Sequence, residues 1–207
     1  MKISLDRNEY VAKKLGNLNG DILLDIGCRD MILKKKLRGK FNYKGLDYIS
    51  DKDKDVDFIN HNLENGLPES LNDVDIIVAL DVLEHIENIH EIYNQLFRVT
   101  KKKVIIALPN MAYYKFRINF LFKGVLSGKY VFNKKKVLDR HRWIPNYNTI
   151  TEFINTNTPK NFRVEEFDYI AERKRNFIFY YLEKFLSKFF PSLFVYEKIY
   201  FFSKISN

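Results

Sequence analysis

Cysteine is almost absent from this chain, since Cys28 is the only one among 207 residues. An internal disulfide is therefore impossible, and a reducing compartment is the expected environment. No apolar stretch follows Met1 and Lys2, so we expect no signal peptide. The most apolar late run, Phe177 to Leu182, is too short to span a bilayer. Together these absences predict a cytoplasmic protein.

Other features of larger or metal-dependent proteins are missing as well. The sequence has no internal repeat and no low-complexity linker, and its length suits one domain spanning residues 1–207. No combination of histidines and cysteines has the spacing of a zinc site, so we expect no bound metal.

The net positive charge of the chain comes from its second half. Residues 1–100 carry 14 Lys and Arg against 18 Asp and Glu, whereas residues 101–207 carry 21 against 8. A basic half favours an anionic partner, such as a nucleotide-linked or phosphorylated substrate, a membrane surface or nucleic acid. A solvated lysine-rich surface without a partner is the alternative.

The chain is organised around one glycine turn. The apolar run Ile22 to Ile26 predicts a strand that ends at Gly27, and Met31 to Leu37 predicts the helix that follows. Gly27 has no Cβ, so a ligand can approach the backbone there, and the helix directs free N–H groups at it. A second strand, Phe41 to Leu46, ends in Asp47, about 20 residues after Gly27, where an acid can bind ribose hydroxyls. An ordinary strand-to-helix turn is the alternative.

The rest of the chain alternates between strand and helix patterns. Further strands are predicted at 56–60, 74–80, 104–108, 162–169 and 194–203, and helices at 8–15, 89–96, 112–123, 149–154 and 173–190. Strands that alternate with helices predict an α/β protein with a parallel sheet and right-handed crossovers.

The segment around Gly27 resembles a known motif. Residues 23–31, LLDIGCRDM, are similar to the first motif, hhDhGxGxG, of class I S-adenosylmethionine-dependent methyltransferases. Only the first glycine is kept, because Arg29 and Met31 replace the other two. A dinucleotide enzyme is disfavoured, since its motif needs those glycines for the approach of a pyrophosphate. S-adenosylmethionine contains no phosphate.

Later segments strengthen the resemblance. Residues 75–86, DIIVALDVLEHI, look like the fourth-strand block of this family's small-molecule branch. Residues 60–63 resemble its adenine-contacting loop, 104–110 its fifth strand, and 141–143 its His-containing segment before the next helix. The resemblance implies a Rossmann-like fold in a single domain. The expected sheet has seven mostly parallel strands with an antiparallel last strand and helices on both faces.

The resemblance also implies a cofactor site at the strand ends. We expect it to hold S-adenosylmethionine, with S-adenosylhomocysteine as the product. Asp47 would bind the ribose, and the loop after the third strand would cover the adenine. The candidate cofactor-binding residues are Asp25, Gly27, Cys28, Asp47, Asn62, Leu63 and Leu80.

The candidate catalytic residues are His141, His85 and Asp81. Either histidine suits a general base, because a free imidazole is about half neutral near pH 6.5. As alternatives, His85 begins a helix and only bonds the backbone, and Asp81 caps a helix that starts at Val82. Cys28 lies in the cofactor turn rather than at a substrate position, which disfavours a nucleophilic role.

Two motifs that are missing from this chain exclude some classes of acceptor. No Asn/Asp-Pro-Pro-Tyr/Phe block of amino-methylating enzymes follows Leu80, and no cysteine follows the fifth strand, as pyrimidine carbon methylation would need. O-methylation of a sugar, glycan or other small or lipid-linked acceptor is therefore favoured, with a sugar nucleotide or lipid-linked glycan as the example and nucleic acid disfavoured. A non-catalytic partner protein of the same fold and an RNA-modifying methyltransferase are the alternatives.

Aromatic residues are in surplus in the second half. We expect a lid or substrate-binding insertion around 111–145 and an amphipathic helix at 173–190, which cover the open end of the sheet or a partner subunit. Such surfaces beside basic side chains suit an anionic acceptor, a homodimer, or peripheral contact with the inner face of a membrane.

Overall fold

A computed structural model of the chain describes residues 2–3, 6–16, 21–48, 57–72, 74–132, 140–170 and 175–205. The strands in these ranges are Lys2–Ile3 (β1), Ile22–Ile26 (β2), Asn42–Asp47 (β3), Phe58–Asn60 (β4), Val74–Leu80 (β5), Thr100–Pro109 (β6), Phe162–Tyr169 (β7), Arg175–Asn176 (β8) and Glu197–Lys204 (β9). The α-helices are Arg7–Leu15 (α1), Ile32–Leu37 (α2), Ile89–Val99 (α3), Tyr114–Lys123 (α4), Tyr147–Asn157 (α5), Phe177–Ser187 (α6) and Pro191–Phe194 (α7).

Seven of these strands form one sheet in the order β4-β3-β2-β5-β6-β9-β7. The first five run parallel, and β9 lies antiparallel to both of its neighbours. This confirms the predicted α/β sheet with an antiparallel last strand. A separate antiparallel pair, β1 with β8, was not predicted, because two-residue strands carry too little pattern.

Helices cover both faces of the sheet, as expected for near-continuous apolar strands. Ile77 and Ala79 of β5 belong to the core beneath α3 and α5, which also contains Tyr93 and Ile154. The alternate residues of β5 belong to the core beneath α1 and α2. Because β4, β3, β2, β5 and β6 are parallel, they all direct their carboxyl ends to the same edge of this layered core.

The strand order reverses between the adjacent strands β2 and β5: β3 and β4 are added on the side of β2, and β6 is added on the side of β5. In open α/β sheets, ligands bind outside the carboxyl ends of the strands at such a point. The fold thus places the loops after β2, β3, β5 and β6 at one edge of the sheet.

The predicted helix at 173–190 is wrong in its bounds, because α6 spans Phe177–Ser187. Asn176 begins it, since its side chain accepts a hydrogen bond from the Ile178 N–H. Pro191 starts a separate short helix, α7, which also takes Phe194 out of the predicted last strand. Residues 173–174 of the prediction, like Val56 of the predicted third strand, lie outside the described residues.

The buried side of α6 differs from what its pattern suggests. Glu183 is only 5% exposed, and its Oε1 accepts hydrogen bonds from the hydroxyls of Tyr114 at 2.6 Å and Tyr113 at 3.2 Å. On the apolar side, Ile178 is 72% exposed and Phe185 57%. A polar contact between neighbouring elements therefore sets the rotation of this helix and leaves its apolar side outward, a surface we call the α6 apolar face. It comprises Ile178, Tyr181, Leu182, Phe185 and the adjacent Phe189.

No helix among the described residues is long and apolar enough to cross a membrane.

Candidate active site

The turn after β2 has the close backbone packing that glycine permits. Gly27 has φ +68, and its N–H donates to the Leu46 carbonyl at 2.7 Å. A Cβ at this position would lie 2.4 Å from Cγ2 of Val82, which follows β5. The turns after β2 and β5 are therefore in direct contact.

Arg29 and Met31, which replace the second and third motif glycines, keep a glycine-like backbone. Their φ angles are 44 and 53, both in the left-handed region. Each such residue costs about 1–2 kcal/mol when it carries a side chain. Met31 is buried against Gly45, so the side chain that replaces a glycine fills space that Gly45 leaves open. The turn therefore has a left-handed backbone at both positions although neither residue is glycine.

Two carboxylates lie at the ends of β2 and β3. Asp47 Oδ2 accepts a hydrogen bond from the Arg29 N–H at 3.0 Å, which joins the predicted ribose ligand to the turn. Asp25 is buried and accepts a hydrogen bond from the Tyr43 hydroxyl at 2.6 Å. Burial raises the pKa of Asp25 to about 7, against the opposing effect of the Tyr43 hydrogen bond. Its carboxyl group lies inside the protein, so only its backbone faces the turn.

The loop after β4 contains the other predicted cofactor residues. Asn62 begins a 3₁₀ turn, Leu63–Asn65, and its Oδ1 accepts from the Glu64 N–H at 3.0 Å. The Leu63 side chain lies in the core, and Cys28 is buried as well. Their backbone, rather than their side chains, is what a ligand could contact.

Asp81 does not cap a helix. It has φ 55, and its Oδ2 binds Arg7 Nη1 of α1 at 2.5 Å, while Arg7 also binds the buried Glu197 of β9 at 2.6 Å. The helix cap suggested by the sequence is thus wrong, because the Asp81 side chain turns towards a buried guanidinium. Arg7 fixes α1 beside the end of β5, where Leu80 is half-buried.

His85 and His141 lie together, although they are far apart in the sequence. Their rings form an edge-to-face pair with centroids 4.5 Å apart. The Nε2 atoms of both lie 3.8 Å from Oε1 of Glu84, which is 1% exposed. His85 ends a 3₁₀ turn, Leu83–His85, instead of beginning a helix as the sequence suggested. We call Glu84, His85 and His141 the histidine cluster.

The segment 140–145 crosses the carboxyl edge and holds His141 in place. The Arg142 N–H donates to the Glu84 carbonyl at 2.9 Å, and Trp143 Nε1 donates to the Ile86 carbonyl at 2.7 Å. The Arg142 side chain reaches Glu64 at 3.0 Å and Glu87 at 3.1 Å. The described end of the predicted 111–145 insertion therefore ties the loops after β4 and β5 together. Residues 133–139 of that insertion lie outside the described residues.

The structure thus brings the predicted residues into two adjoining groups, one around Gly27 and Asp47 and the other around His85, His141 and Asp81. Sequence reasoning missed Glu84 and Arg7. Glu84 sits inside an apolar stretch directly before a histidine, which is the one sequence signal that could have identified it. Arg7 shows no such signal.

Comparison with protein families identifies one match over most of the chain. The model of a family described as "Methionine biosynthesis protein MetW" matches residues 9–197. A curated relative, the bifunctional methionine biosynthesis protein MetXA/MetW of Rhodopirellula baltica, is 26% identical over 121 residues. That alignment covers 51% of this chain and 19% of the relative, so the chain spans about a fifth of that protein's length.

Solved structures show the same fold. The small RNA methyltransferase HEN1 matches 97% of this chain and 25% of its own, with a TM-score of 0.65 and 16% identity. Magnesium protoporphyrin IX methyltransferase from Synechocystis, solved with S-adenosylhomocysteine, matches 95% of this chain and 81% of its own, with a TM-score of 0.58 and 16% identity. The seven-stranded sheet is therefore the class I S-adenosylmethionine-dependent methyltransferase fold.

Proposed function

Because the chain belongs to the MetW family and has the class I methyltransferase fold, we propose that it is an S-adenosylmethionine-dependent methyltransferase. The observation that carries the proposal is the contact between Gly27 and Val82. It joins the turn where the methyl donor would bind to the turn that holds the histidine cluster. Donor and acceptor chemistry would therefore meet at the switch point of the sheet.

The cofactor would lie along the ends of β2, β3 and β4. Asp47 would accept hydrogen bonds from the ribose hydroxyls, and the loop at Asn62 would border the adenine. The left-handed Arg29 and Met31 support this assignment, since both adopt a backbone conformation that favours glycine, the residue of the motif at these positions. A related structure of this fold, the Synechocystis enzyme, holds S-adenosylmethionine.

The reaction we propose is an in-line displacement on the sulfonium. The bond from sulfur to the methyl carbon breaks, the sulfur keeps the electron pair, and a bond from the acceptor oxygen to the methyl carbon forms. The acceptor hydroxyl must lose its proton, and His141 or His85 is the group positioned to help. Most of the catalysis then comes from alignment of the two reactants.

The acceptor we favour is a hydroxyl of a sugar, a glycan or another small or lipid-linked molecule. The missing amino-methylating block and the absence of a late cysteine support this class over bases, and the basic second half supports an anionic group such as a nucleotide or a phosphate. The solved structures named above are, by their names, methyltransferases of small RNA and of magnesium protoporphyrin IX. The proposed acceptor is therefore supported by this chain's residues alone.

Calorimetry with S-adenosylmethionine and S-adenosylhomocysteine tests the cofactor assignment, and transfer of a labelled methyl group to a panel of sugar nucleotides, lipid-linked sugars and small RNA tests the acceptor. We expect His141→Ala to abolish transfer while cofactor affinity stays intact. Absence of a heat of binding at millimolar cofactor would refute the proposal that the chain is a methyltransferase.

A second candidate function is a non-catalytic partner protein. The α6 apolar face, which no described element covers, favours it. The fused relative, in which a MetW region shares one chain with MetXA, is consistent with such a role. Cofactor binding without methyl transfer to any acceptor, together with a stable complex through α6, would support this alternative.

A further inference from the structure

The histidine cluster has the composition of a metal site. We propose that Glu84, His85 and His141 bind one divalent first-row transition-metal ion, such as Zn²⁺, Fe²⁺, Mn²⁺ or Co²⁺. Two imidazoles and one carboxylate with open positions are a donor set that such ions use in catalytic sites. Sequence spacing did not predict a metal site, because His85 and His141 come from separate segments.

The spacing of the donor atoms fits a single ion. One ligand atom from each residue can be chosen so that all three lie within 4.8 Å of one another. Both Nε2 atoms are 3.8 Å from Glu84 Oε1. Metal bonds of about 2.0–2.2 Å in tetrahedral geometry place ligand atoms about 3.3–3.6 Å apart. Small side-chain rotations would therefore close the site around an ion.

Glu84 supplies the second, independent observation. Its side chain is buried, and neither carboxylate oxygen has a hydrogen-bond partner from another residue in the part of the chain that the structure describes. Buried carboxylates are normally paired, because an isolated buried charge is very unfavourable. A bound cation would offset this unfavourable negative charge.

The other ring nitrogens are held as metal-binding histidines usually are. His85 Nδ1 lies 2.8 Å from the Arg140 carbonyl, to which it can only donate. His141 Nδ1 lies 2.8 Å from the Tyr130 hydroxyl, which itself donates to the Trp143 carbonyl at 2.6 Å and so accepts from the ring. Both rings then carry their proton on Nδ1, which directs the Nε2 lone pairs towards Glu84. Such outer contacts orient imidazole ligands.

The position of the site suggests what the ion would do, and this part rests on the proposed function. The cluster follows β5 directly, and Val82 at the start of the same turn touches Gly27. An ion here would bind the acceptor hydroxyl oxygen and lower its pKa. The hydroxyl proton would pass to a solvent water, and the oxygen would then take the methyl group. In the metal-bound form the histidines would hold the ion, so the role of general base proposed above for His141 or His85 would pass to that water.

Metal titration of the full chain tests the site without cofactor or acceptor, so its result is independent of methyl transfer. Protein freed of metal by a chelator is titrated with Co²⁺, followed by its visible absorption, and then with competing Zn²⁺. The variants are Glu84→Gln and His141→Gln. The controls are Glu69→Gln, an exposed carboxylate outside the cluster, and His90→Gln, on α3 outside the cluster.

We expect about one Co²⁺ per chain, displaced by Zn²⁺, with affinity at least about tenfold weaker in each cluster variant and unchanged in both controls. Circular dichroism checks that the variants fold. If one of the two cluster variants does not fold, the other is sufficient for the test. Failure of the folded wild type to bind either metal, or equal binding by a folded cluster variant, would overturn the proposal. Methyl transfer that needs no metal, with binding intact, would overturn only the role in the reaction.

Discussion

Replacing Gly27 by alanine tests the contact between the cofactor turn and the histidine cluster. The new Cβ would lie 2.4 Å from Val82 Cγ2, a separation that real Cβ atoms essentially never show. The backbone must also keep φ +68 with a side chain present. Two separate penalties therefore act at one position.

Their sizes can be worked out from the structure. The left-handed conformation costs about 1–2 kcal/mol for a residue other than glycine. Overpacking in a close-packed region typically adds about 1–3 kcal/mol. Gly27→Ala should therefore lower the free energy of unfolding by about 2–5 kcal/mol. Gly39→Ala is the matched control, because Gly39 has φ +74 but no atom within 4 Å of a new Cβ, so only the first penalty applies.

Urea denaturation followed by circular dichroism measures both variants, and calorimetry measures their affinity for S-adenosylmethionine. Adding Val82→Ala to Gly27→Ala should recover the overpacking part, about 1–3 kcal/mol, relative to the sum of the single variants. If Gly27→Ala is no more destabilising than Gly39→Ala, or if the double variant is additive, the two turns do not touch as described.

Four further outcomes are expected. The pKa of Asp25 is about 7 in the folded protein and 3.8 in the unfolded chain, so the folded state binds more protons between these pH values. The free energy of unfolding of the wild type should therefore fall by up to about 4 kcal/mol as pH rises through that window. Urea titrations at several pH values measure this fall, which Asp25→Asn should remove. Asp47→Ala should weaken S-adenosylmethionine binding at least about tenfold in calorimetry, since each charge-assisted bond to ribose contributes roughly 1.5–3 kcal/mol; unchanged affinity would contradict the ribose role. Glu183→Ala should lower the free energy of unfolding by about 1–3 kcal/mol in urea denaturation, because two tyrosine hydroxyls lose their acceptor. Glu183→Gln should lower it less, because the amide oxygen can still accept. Phe185→Glu should change stability by less than about 0.5 kcal/mol and reduce any self-association seen by light scattering, and a large loss of stability would mean that the α6 apolar face is covered.

The sheet and its first turn could be predicted because their determinants are local. The β5 run is apolar on both faces, which only a covered strand tolerates, and Gly27 marks the end of β2 directly. Asp47 could be placed near the turn because parallel strands of similar length end at one edge, and the structure has its carboxylate on the Arg29 N–H. Its role as ribose ligand stays a prediction.

The rest depends on contacts between distant segments. Arg7 binds partners 74 and 190 residues away, so no window of sequence could reveal it. Helical periodicity showed which side of α6 is apolar but not whether any element covers that side. The buried Glu183 depends on tyrosines about 70 residues earlier in the chain. In the histidine cluster, the role of Glu84 becomes visible only in the structure, where His141 lies beside it.

The position of β9 between β6 and β7 has a consequence for synthesis on the ribosome. β7 is made before β9, yet in the finished sheet it pairs with β9 and not with β6. A nascent chain that has reached Tyr169 therefore has a strand without its partner and an open apolar edge on β6, the kind of edge that recruits other chains. The last strand closes that edge and at the same time delivers Glu197 to Arg7. Completion of the sheet thus also completes the pair of carboxylates around Arg7, and stalled chains should need chaperone protection until β9 is made.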